Sequence, residues 1–309
     1  MKHYFLINPA AGTGRAEMLA ANIADAYMQA NAEFELHHTK SSEEARAYVR
    51  AITSRGEPCR IYAVGGDGTL CDVLAGVADF ERTELGCFPC GTGNDFVKAL
   101  PGIDATALLD IEAQRTGSTK AVDTLSVSYS GNTVRCLNIV NVGLDATAAY
   151  YMQRIKKIPL LGGLSYVLGL AWGVCRPLGI ALRVESDSGE VWDESATIAV
   201  FANGKCYGGS FWAAPEADVT DGVLDMCLVK KVPHSRFFKL VGQYKKGHHL
   251  HNPRFADIIT FWRMRTVTFR APKLLRLCCD GEIFSVPANT DVHLTTEAQQ
   301  VQFVVPTHI

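Results

Sequence analysis

The sequence CRIYAVGGDGT, residues 59–69, decides the fold of this chain, because glycines and an aspartate directly follow an apolar run. Cys59–Val64 is compact and apolar and predicts a buried strand, and Leu70–Phe80 has the spacing of a helix. Glycines at such a turn let backbone N–H groups approach an anion closely, and the following helix adds the positive end of its dipole. The stretch therefore predicts a strand, an anion-binding turn and a helix.

Strands and helices alternate on both sides of this stretch. Ser41, with Glu44 three residues later, forms a capping-box pattern that predicts the start of a helix. Strands separated by helices of this length are typical of a parallel sheet with helices on its faces. The predicted strands are His3–Asn8, Glu33–Thr39 and Glu84–Pro89, and the predicted helices are Ala16–Ala32 and Asp95–Leu100.

Beyond Lys120 the segments become short and rich in β-branched and aromatic residues. Ser130-Gly131-Asn132 and Ser186–Gly189 lie between such runs and predict hairpin turns. Two helical segments, Ala146–Gly179 and His234–His249, interrupt the strands. We therefore expect an α/β domain over residues 1–125, with residues 295–309 packing back on it, and a β-rich, antiparallel, sandwich-like domain over residues 126–294.

The composition excludes several classes of protein. With 309 residues, 48% of them apolar, the chain can bury a large core, and its length favours two domains. A net charge of −2 gives no general electrostatic case for nucleic acid. No Cys-x-x-Cys pair is matched by a second one among the ten cysteines, which is typical of reduced thiols in a cytoplasmic protein. The most apolar stretch, Leu160–Val174, is too short and glycine-rich to predict a membrane span.

Three glycine-rich turns follow three predicted strands of the first domain, at Asn8–Arg15, Gly65–Thr69 and Gly91–Asp95. Because the carboxyl ends of parallel strands meet at one edge of a sheet, we expect these turns to form one phosphate-binding site. A carboxylate among phosphates is repulsive unless a cation lies between them, so Asp67 predicts a magnesium contact. For each loop taken alone a plain strand-to-helix turn is the stronger interpretation, since no Walker sequence is present, and the three loops together shift the balance toward phosphate binding.

These motifs resemble the diacylglycerol kinase catalytic-domain family, specifically the soluble bacterial lipid kinases, which are related to sphingosine and ceramide kinases. The resemblance covers nearly the whole chain and is most specific where the Gly65–Thr69 loop is combined with Gly91–Asp95 and a late Asp280-Gly281-Glu282. The other matching segments are Asn8–Gly12, Thr39, Asp123, Asn203–Gly209, Ala214–Ala217 and Asp221–Asp225.

The resemblance implies that Mg²⁺ and ATP are held in a cleft between the domains. It makes Asp280 the general base for the acceptor hydroxyl, with Glu282 beside it, and phosphoryl transfer needs little more than alignment and charge neutralisation. Asp-Gly between two strands is also a strong hairpin signal, and a turn can present its acid. The residues implied to hold the nucleotide are Asn8, Thr39, Gly65, Gly66, Asp67, Gly68, Thr69, Thr92 and Gly93.

A second acidic segment, Asp218–Asp225, resembles one that binds a structural magnesium ion in some bacterial members of the family. Asp218 and Asp221 would supply carboxylates and Val223 a backbone carbonyl, which suits a hard, oxygen-seeking cation. The alternative interpretation is an Asp-Gly turn whose acids are solvated.

A lipid acceptor requires an apolar groove and some attraction to a membrane. Tyr150–Leu170 and His234–His249 both place basic residues beside bulky apolar ones, which suits a helix lying on an anionic membrane surface. Each segment alone is also compatible with an amphipathic helix whose basic face is solvated. Phe211 and Trp212 add bulk where the family pattern is plainer. If this segment lines the lipid groove, we expect an acceptor preference different from that for simple diacylglycerol.

These observations together predict an ATP-dependent kinase that converts diacylglycerol to phosphatidic acid. Its expected partners are a neutral lipid alcohol and an anionic membrane, and we expect no binding to nucleic acid. The sequence is compatible with a homodimer. The expected location is the cytoplasm, with peripheral attachment to the membrane. The alternatives are a kinase of a soluble metabolite such as NAD, which shares the Gly-Asp-Gly loop, and a non-catalytic protein that binds nucleotide or lipid.

Overall fold

The computed structural model describes residues 1–156 and 178–307, so the predicted apolar segment Leu160–Val174 lies outside the described residues. The chain divides into two compact units. The first comprises residues 1–124, 218–222 and 297–309, and the second comprises residues 125–217 and 223–296. The sequence pattern had placed Asp218–Gly222 within residues 126–294, whereas these five residues group with the first unit. Their backbone joins Asp123 of that unit, since Asp123 N donates to Val219 O at 2.7 Å.

The first unit contains a parallel sheet. Its strands are β1 (Lys2–Ile7), β2 (Phe34–His38), β3 (Cys59–Gly65) and β4 (Thr83–Pro89), in the order β2-β1-β3-β4. Each pairs in parallel with its neighbours, and the last strand of the chain adds a parallel partner through Phe303, which lies opposite Leu85. This confirms the predicted parallel arrangement.

Helices follow the strands of the first unit. They are α1 (Arg15–Gln29), α2 (Ser42–Thr53), α3 (Asp67–Gly76) and α4 (Ile111–Arg115). The predicted capping of α2 is confirmed, because Ser41 Oγ accepts the Glu44 N–H at 3.2 Å. The helix predicted over Asp95–Leu100 is shortened to a single 3₁₀ turn, Val97–Ala99. Leu100 is extended, as a residue before a proline tends to be.

The second unit is built from antiparallel strands. They are β5 (Ser118–Tyr129, shared with the first unit), β6 (Asn132–Cys136), β7 (Ile139–Gly143), β8 (Ile180–Ser186), β9 (Val191–Ala202), β10 (Leu224–Lys230), β11 (Ile259–Met264), β12 (Thr266–Arg270), β13 (Leu275–Cys279), β14 (Glu282–Val286) and β15 (Val292–Val305, also shared). The neighbours run β14-β13-β7-β9-β8-β12-β15, and β10 pairs with β9 and β11. Both predicted hairpin turns are confirmed, because β5 pairs with β6 and β8 with β9.

Strand β9 separates two apolar cores in the second unit. Ala199 and Phe201 face one core, where the Phe201 and Phe269 rings stack at 4.6 Å. The alternate residues Ile198 and Val200 face the other core, against which a helix packs through Phe237. Strand β9 is therefore buried on both of its faces.

Two helices belong to the second unit, α5 (Leu144–Lys156) and α6 (His234–Lys245). Helix α6 ends at Lys245 and not at His249 as predicted. Gly247 has a φ of +73°, a conformation that ends helices and favours glycine. No helix among the described residues is long and apolar enough to cross a membrane.

Candidate active site

The loop after β3 is tightly built. Gly65 ends the strand, Gly66 is extended, and α3 begins at Asp67. A Cβ added to Gly65 would lie 2.2 Å from Thr69 Oγ1, so the Thr69 side chain folds back over this glycine. Gly65 is therefore required by packing. A Cβ added to Gly68 would meet no heavy atom within 4 Å, so packing does not explain that glycine.

The loop after β1 contacts the other two glycine loops. Asn8 Nδ2 donates to Thr69 Oγ1 at 3.2 Å, which joins the first loop to the second. Gly12 has a φ of +62°, and a Cβ there would lie 2.3 Å from Cys90 O, next to the third loop. A side chain at Gly12 would therefore push the first and third loops apart.

The loop after β4 is held by Asp67. Asp67 Oδ1 accepts the Asp95 N–H at 2.7 Å and the Phe96 N–H at 3.4 Å. A Cβ added to Gly91 would lie 2.6 Å from Gly66 Cα, so the two backbones pass each other with no room for a side chain. The three glycine-rich loops therefore meet at the carboxyl ends of β1, β3 and β4, as the alternation of strands and helices led us to expect.

Two carboxylates meet where the loops converge. A Cβ added to Gly93 would lie 2.8 Å from Asp67 Oδ2 and 3.4 Å from Asp95 Oδ2. Both carboxylate oxygens therefore lie close to the position where a side chain at residue 93 would begin. Lys98 Nζ lies 2.9 Å from Asp95 Oδ1. Burial and then the Asp67 charge raise the pKa of the Cys87 thiol. Asp95 was not predicted from the sequence as a partner of Asp67, although it lies within the quoted third loop.

This pair fits a magnesium ion that is completed by phosphates. Mg²⁺ in nucleotide sites is held by one or two carboxylates together with phosphate oxygens and water. Asp67 and Asp95 supply such carboxylates, and an oxygen of each lies close to Gly93. Among residues 1–156 and 178–307, no group of three or more His, Cys, Asp or Glu side chains could hold a metal ion by itself.

Two threonines border the same edge of the sheet. Thr39 follows β2, and both its N–H and its hydroxyl donate to Ile7 O, at 2.8 and 3.1 Å. Thr39 is thereby fixed beside the end of β1. Thr92 lies in the third loop and is exposed.

Asp280 lies at the tip of the β13–β14 hairpin, where Asp280 and Gly281 have φ values of +46° and +91°. Its carboxylate accepts hydrogen bonds from successive backbone amides: Leu137 N at 2.7 Å on Oδ2 and Ile139 N at 2.8 Å on Oδ1. Asn138 N donates to both oxygens, at 3.1 and 3.2 Å. Burial raises the pKa of Asp280, and these amides oppose that rise. Asp280 therefore also holds the turn before β7.

Glu282 begins β14, opposite Cys279, and is partly exposed. Helix α5 contacts this hairpin, because Gln153 Nε2 donates to Gly281 O at 2.7 Å. The turn that carries Asp280 and Gly281 is thus bonded both to the start of β7 and to α5.

The second acidic segment is folded against Asp123. Gly222 N donates to Asp123 Oδ2 and Gln299 N to Asp123 Oδ1, each at 2.7 Å. Burial raises the pKa of Asp123, and the charges of Asp221 and Asp218 raise it further. Asp218 Oδ1 accepts from Thr220 N at 3.0 Å and Thr220 Oγ1 at 2.7 Å. The acids therefore lie near one another, and Val223 belongs to the second unit.

A further polar pair, not predicted from the sequence, lies in the second unit. Tyr207 donates to Asp145 Oδ2 at 2.5 Å, and burial raises the pKa of Asp145 to about 6. Asp145 is in the first turn of α5, and the buried Tyr244 ring lies near it. The two partners are 62 residues apart in sequence, so residue spacing does not point to this pair.

Comparisons with known protein families agree with this architecture. The family model of the diacylglycerol kinase catalytic domain matches residues 2–127. The family model of the YegS C-terminal NAD kinase beta sandwich-like domain matches residues 138–302, more than half of the chain. The parallel sheet and the antiparallel strands described above correspond to these two matches.

Individual relatives cover most of the chain. A diacylglycerol kinase of Bacillus subtilis is 26% identical over 281 residues, covering 90% of this chain and 88% of the relative. A diacylglycerol kinase of Mycobacterium tuberculosis is 25% identical over 263 residues, covering 84% of this chain and 81% of the relative. A crystal structure of a diacylglycerol kinase from Bacillus anthracis shares the fold, with a TM-score of 0.70 and 20% identity over 98% of this chain and 96% of that one. The chain therefore belongs to the diacylglycerol kinase family of lipid kinases, with a diacylglycerol kinase catalytic domain followed by a YegS-type β-sandwich domain.

Proposed function

We propose that this protein transfers the γ-phosphate of ATP to the hydroxyl of a lipid alcohol, with diacylglycerol as acceptor and phosphatidic acid as product. The observation that carries the proposal is the meeting of three glycine-rich loops around Asp67. Backbone amides and glycines at the ends of parallel strands suit a triphosphate, and the adjacent carboxylates suit its cation.

The chain's own residues would bind and align the nucleotide. Gly66 and Gly68 let the backbone approach the phosphates, and Thr69 and Thr92 offer hydroxyl donors. Asn8 and Thr39 border the same edge of the sheet. Mg²⁺, when bound, would neutralise phosphate charge, and Asp67 with Asp95 would hold it.

We assign the general base to Asp280. Three amides fix the orientation of its carboxylate, and one carboxylate near the attacking hydroxyl suffices to orient it and accept its proton. Asp280 would take the proton as the hydroxyl oxygen forms its bond to phosphorus and the bond to ADP breaks. Glu282, two residues on, would add negative charge beside the acceptor.

The competing acceptor is NAD, since NAD kinases share the Gly-Asp-Gly loop and the β-sandwich type. Labelled ATP offered with diacylglycerol micelles, monoacylglycerol, a sphingoid base, ceramide and NAD separates these acceptors. We expect label in phosphatidic acid. Label in NAD alone would reject the lipid acceptor, and label in none of them would favour a non-catalytic nucleotide- or lipid-binding protein.

We also propose a structural cation at Asp218, Asp221 and the Val223 carbonyl. Support comes from the charges of Asp218 and Asp221, which both raise the pKa of the buried Asp123. A cation would relieve that repulsion. Mg²⁺ should therefore raise the melting temperature of the wild type more than that of Asp221→Asn. An equal rise in both proteins would reject this site.

A further inference from the structure

Helix α6 presents an aromatic side chain to solvent on its outward face. Phe238 is 62% exposed, whereas its neighbour Phe237 is only 3% exposed and packs in the core. Ser235 and Gly242, one turn before and after Phe238, are small, so the ring stands clear of its surroundings. An aromatic ring left in water in the middle of a helix face is a candidate anchor for a partner.

The segment around α6 is basic and contains no acid. Residues 226–256 include seven Lys or Arg residues and neither Asp nor Glu, in a chain whose formal charge is −2. The basic residues are Lys230, Lys231, Arg236, Lys239, Lys245, Lys246 and Arg254. A local excess of positive charge in a weakly acidic protein favours contact with an anionic surface where the charge is exposed.

Only part of this charge is neutralised within the protein. Arg236 pairs with Asp257 at 2.6 Å, and Lys230 pairs with Glu194 at 2.6 Å. Lys239 and Lys246 form no ion pair with any described residue, and Lys239 is exposed. Lys245 is also exposed, and its Nζ lies 5.8 Å from the Phe211 ring. Lys239, Lys245 and Lys246 therefore lie on or directly after the helix that carries Phe238.

We infer that the outward face of α6 docks on an anionic lipid bilayer, with Phe238 inserted at the interface and Lys239, Lys245 and Lys246 facing lipid phosphates. An exposed aromatic ring bordered by lysines is the pattern of an interfacial helix. The choice of a bilayer over another polyanion rests on the proposed function, because a diacylglycerol acceptor resides in a membrane. Ser235 and Gly242 are too small to keep the surface of a bilayer from reaching the Phe238 ring.

Sedimentation with vesicles tests this surface. The full-length wild type should bind phosphatidylcholine vesicles that contain about one-third phosphatidylserine more tightly than vesicles of phosphatidylcholine alone. Phe238→Ser should weaken binding about tenfold, and Lys239→Glu about fivefold or more. Met28→Ser is the matched control for the aromatic ring, because Met28 is equally exposed, at 62%, on α1. Arg50→Glu on α2 is the control for the charge reversal.

Three outcomes would overturn the inference: no binding of the wild type at low salt, equal loss in the controls, or unchanged binding by both α6 variants. A duplex DNA arm is included, and equally tight DNA binding that Phe238→Ser abolishes would transfer the surface to nucleic acid. A second readout separates this inference from the proposed function. Phe238→Ser should lower phosphorylation of diacylglycerol in vesicles while sparing a short-chain diacylglycerol in detergent micelles. Absence of wild-type turnover in micelles would instead reject the kinase proposal.

Discussion

The Asp67 carboxylate and the backbone of Asp95 are joined by a hydrogen bond of 2.7 Å, from Asp95 N to Oδ1. Asp67 Oδ2 lies 2.8 Å, and Asp95 Oδ2 lies 3.4 Å, from the position that a Cβ at Gly93 would take. One oxygen of Asp67 thus fixes the third loop, and the other lies near the Asp95 carboxylate. A substitution that keeps one side-chain oxygen but removes the charge can therefore separate the structural role of Asp67 from its role in binding a cation.

Asp67→Asn should abolish activity without unfolding the protein. Asparagine keeps an Oδ1 that can accept the Asp95 N–H, but it loses the charge that a magnesium ion requires. We expect lipid phosphorylation to fall at least about 100-fold, with a melting temperature close to that of the wild type. Asp25→Asn, at an exposed position of α1, is the control. Unchanged activity in Asp67→Asn would remove Asp67 from the site.

Two glycines of the site should respond differently to alanine. Gly93→Ala would place Cβ 2.8 Å from Asp67 Oδ2, so it should disturb the carboxylate and lower both stability and activity. Gly68→Ala meets no atom within 4 Å, so the melting temperature should be kept. If the backbone at Gly68 approaches phosphate, ATP affinity should nevertheless fall about tenfold in a titration. Normal ATP affinity in Gly68→Ala would show that the nucleotide binds elsewhere.

Asp280→Asn should lose turnover and also some stability. The new amide nitrogen would face the donors Leu137 N or Ile139 N, and an unsatisfied donor costs about 1–3 kcal/mol. ATP binding should be nearly unchanged, because the nucleotide loops do not include this residue. Urea unfolding, ATP titration and the lipid kinase assay measure the three effects. Glu282→Gln provides the comparison, since Glu282 can lose its charge without releasing the Leu137–Ile139 turn. Activity that survives in Asp280→Asn would reject it as the base.

Asp145→Asn should stabilise the protein at neutral pH. Burial raises the pKa of Asp145 from 3.8 to about 6, so between these values the native state keeps a proton that the unfolded chain has lost. The free energy of unfolding therefore falls as pH rises through this window, by at most about 3 kcal/mol for this group. Asparagine carries no charge, so the variant avoids this loss of stability. Its side-chain oxygen can still accept the hydrogen bond from the Tyr207 hydroxyl.

Urea unfolding at about pH 3 and about pH 7.5, on either side of this window, tests the role of Asp145. The variant and the wild type should be equally stable at the lower pH, and the variant should be more stable at the higher one. Burial lowers the pKa of His3 and of His249 to about 4, so both oppose this trend, but equally in the two proteins. A variant that is less stable at the higher pH would show that the Tyr207 hydroxyl and the surroundings stabilise the ionised Asp145, and would contradict this prediction.

The glycine loops could be located from the sequence because their position follows from local rules. Each loop comes after an apolar strand, and parallel strands bring their carboxyl ends to one edge. The carboxylate pair Asp67–Asp95 and the Tyr207–Asp145 bond could not be derived in this way, because they depend on side-chain directions between loops distant in sequence. Periodicity reports which face of an element is buried, and it does not report which polar partners meet there.

The segment Asp218–Gly222 illustrates the same limit at the level of domains. Its sequence neighbours are β-rich, yet it groups with the first unit through bonds to Asp123. Helix α6 ends earlier than the residue pattern predicts for a different reason. Gly247 adopts a left-handed conformation, which ends the helix although the pattern would allow it to continue. Long-range hydrogen bonds and single left-handed residues are decided by tertiary structure, which periodicity does not encode.

A competition between acceptors for labelled ATP decides whether the protein is a lipid kinase. Purified protein with Mg²⁺ receives diacylglycerol in mixed micelles and NAD in one reaction, and Asp67→Asn serves as the inactive control. We predict label in phosphatidic acid, loss of that label when Mg²⁺ is chelated, and at least about 100-fold less label in the Asp67→Asn reaction. Label that enters NAD and not the lipid, or lipid phosphorylation that persists in Asp67→Asn, would contradict the proposed function and its site.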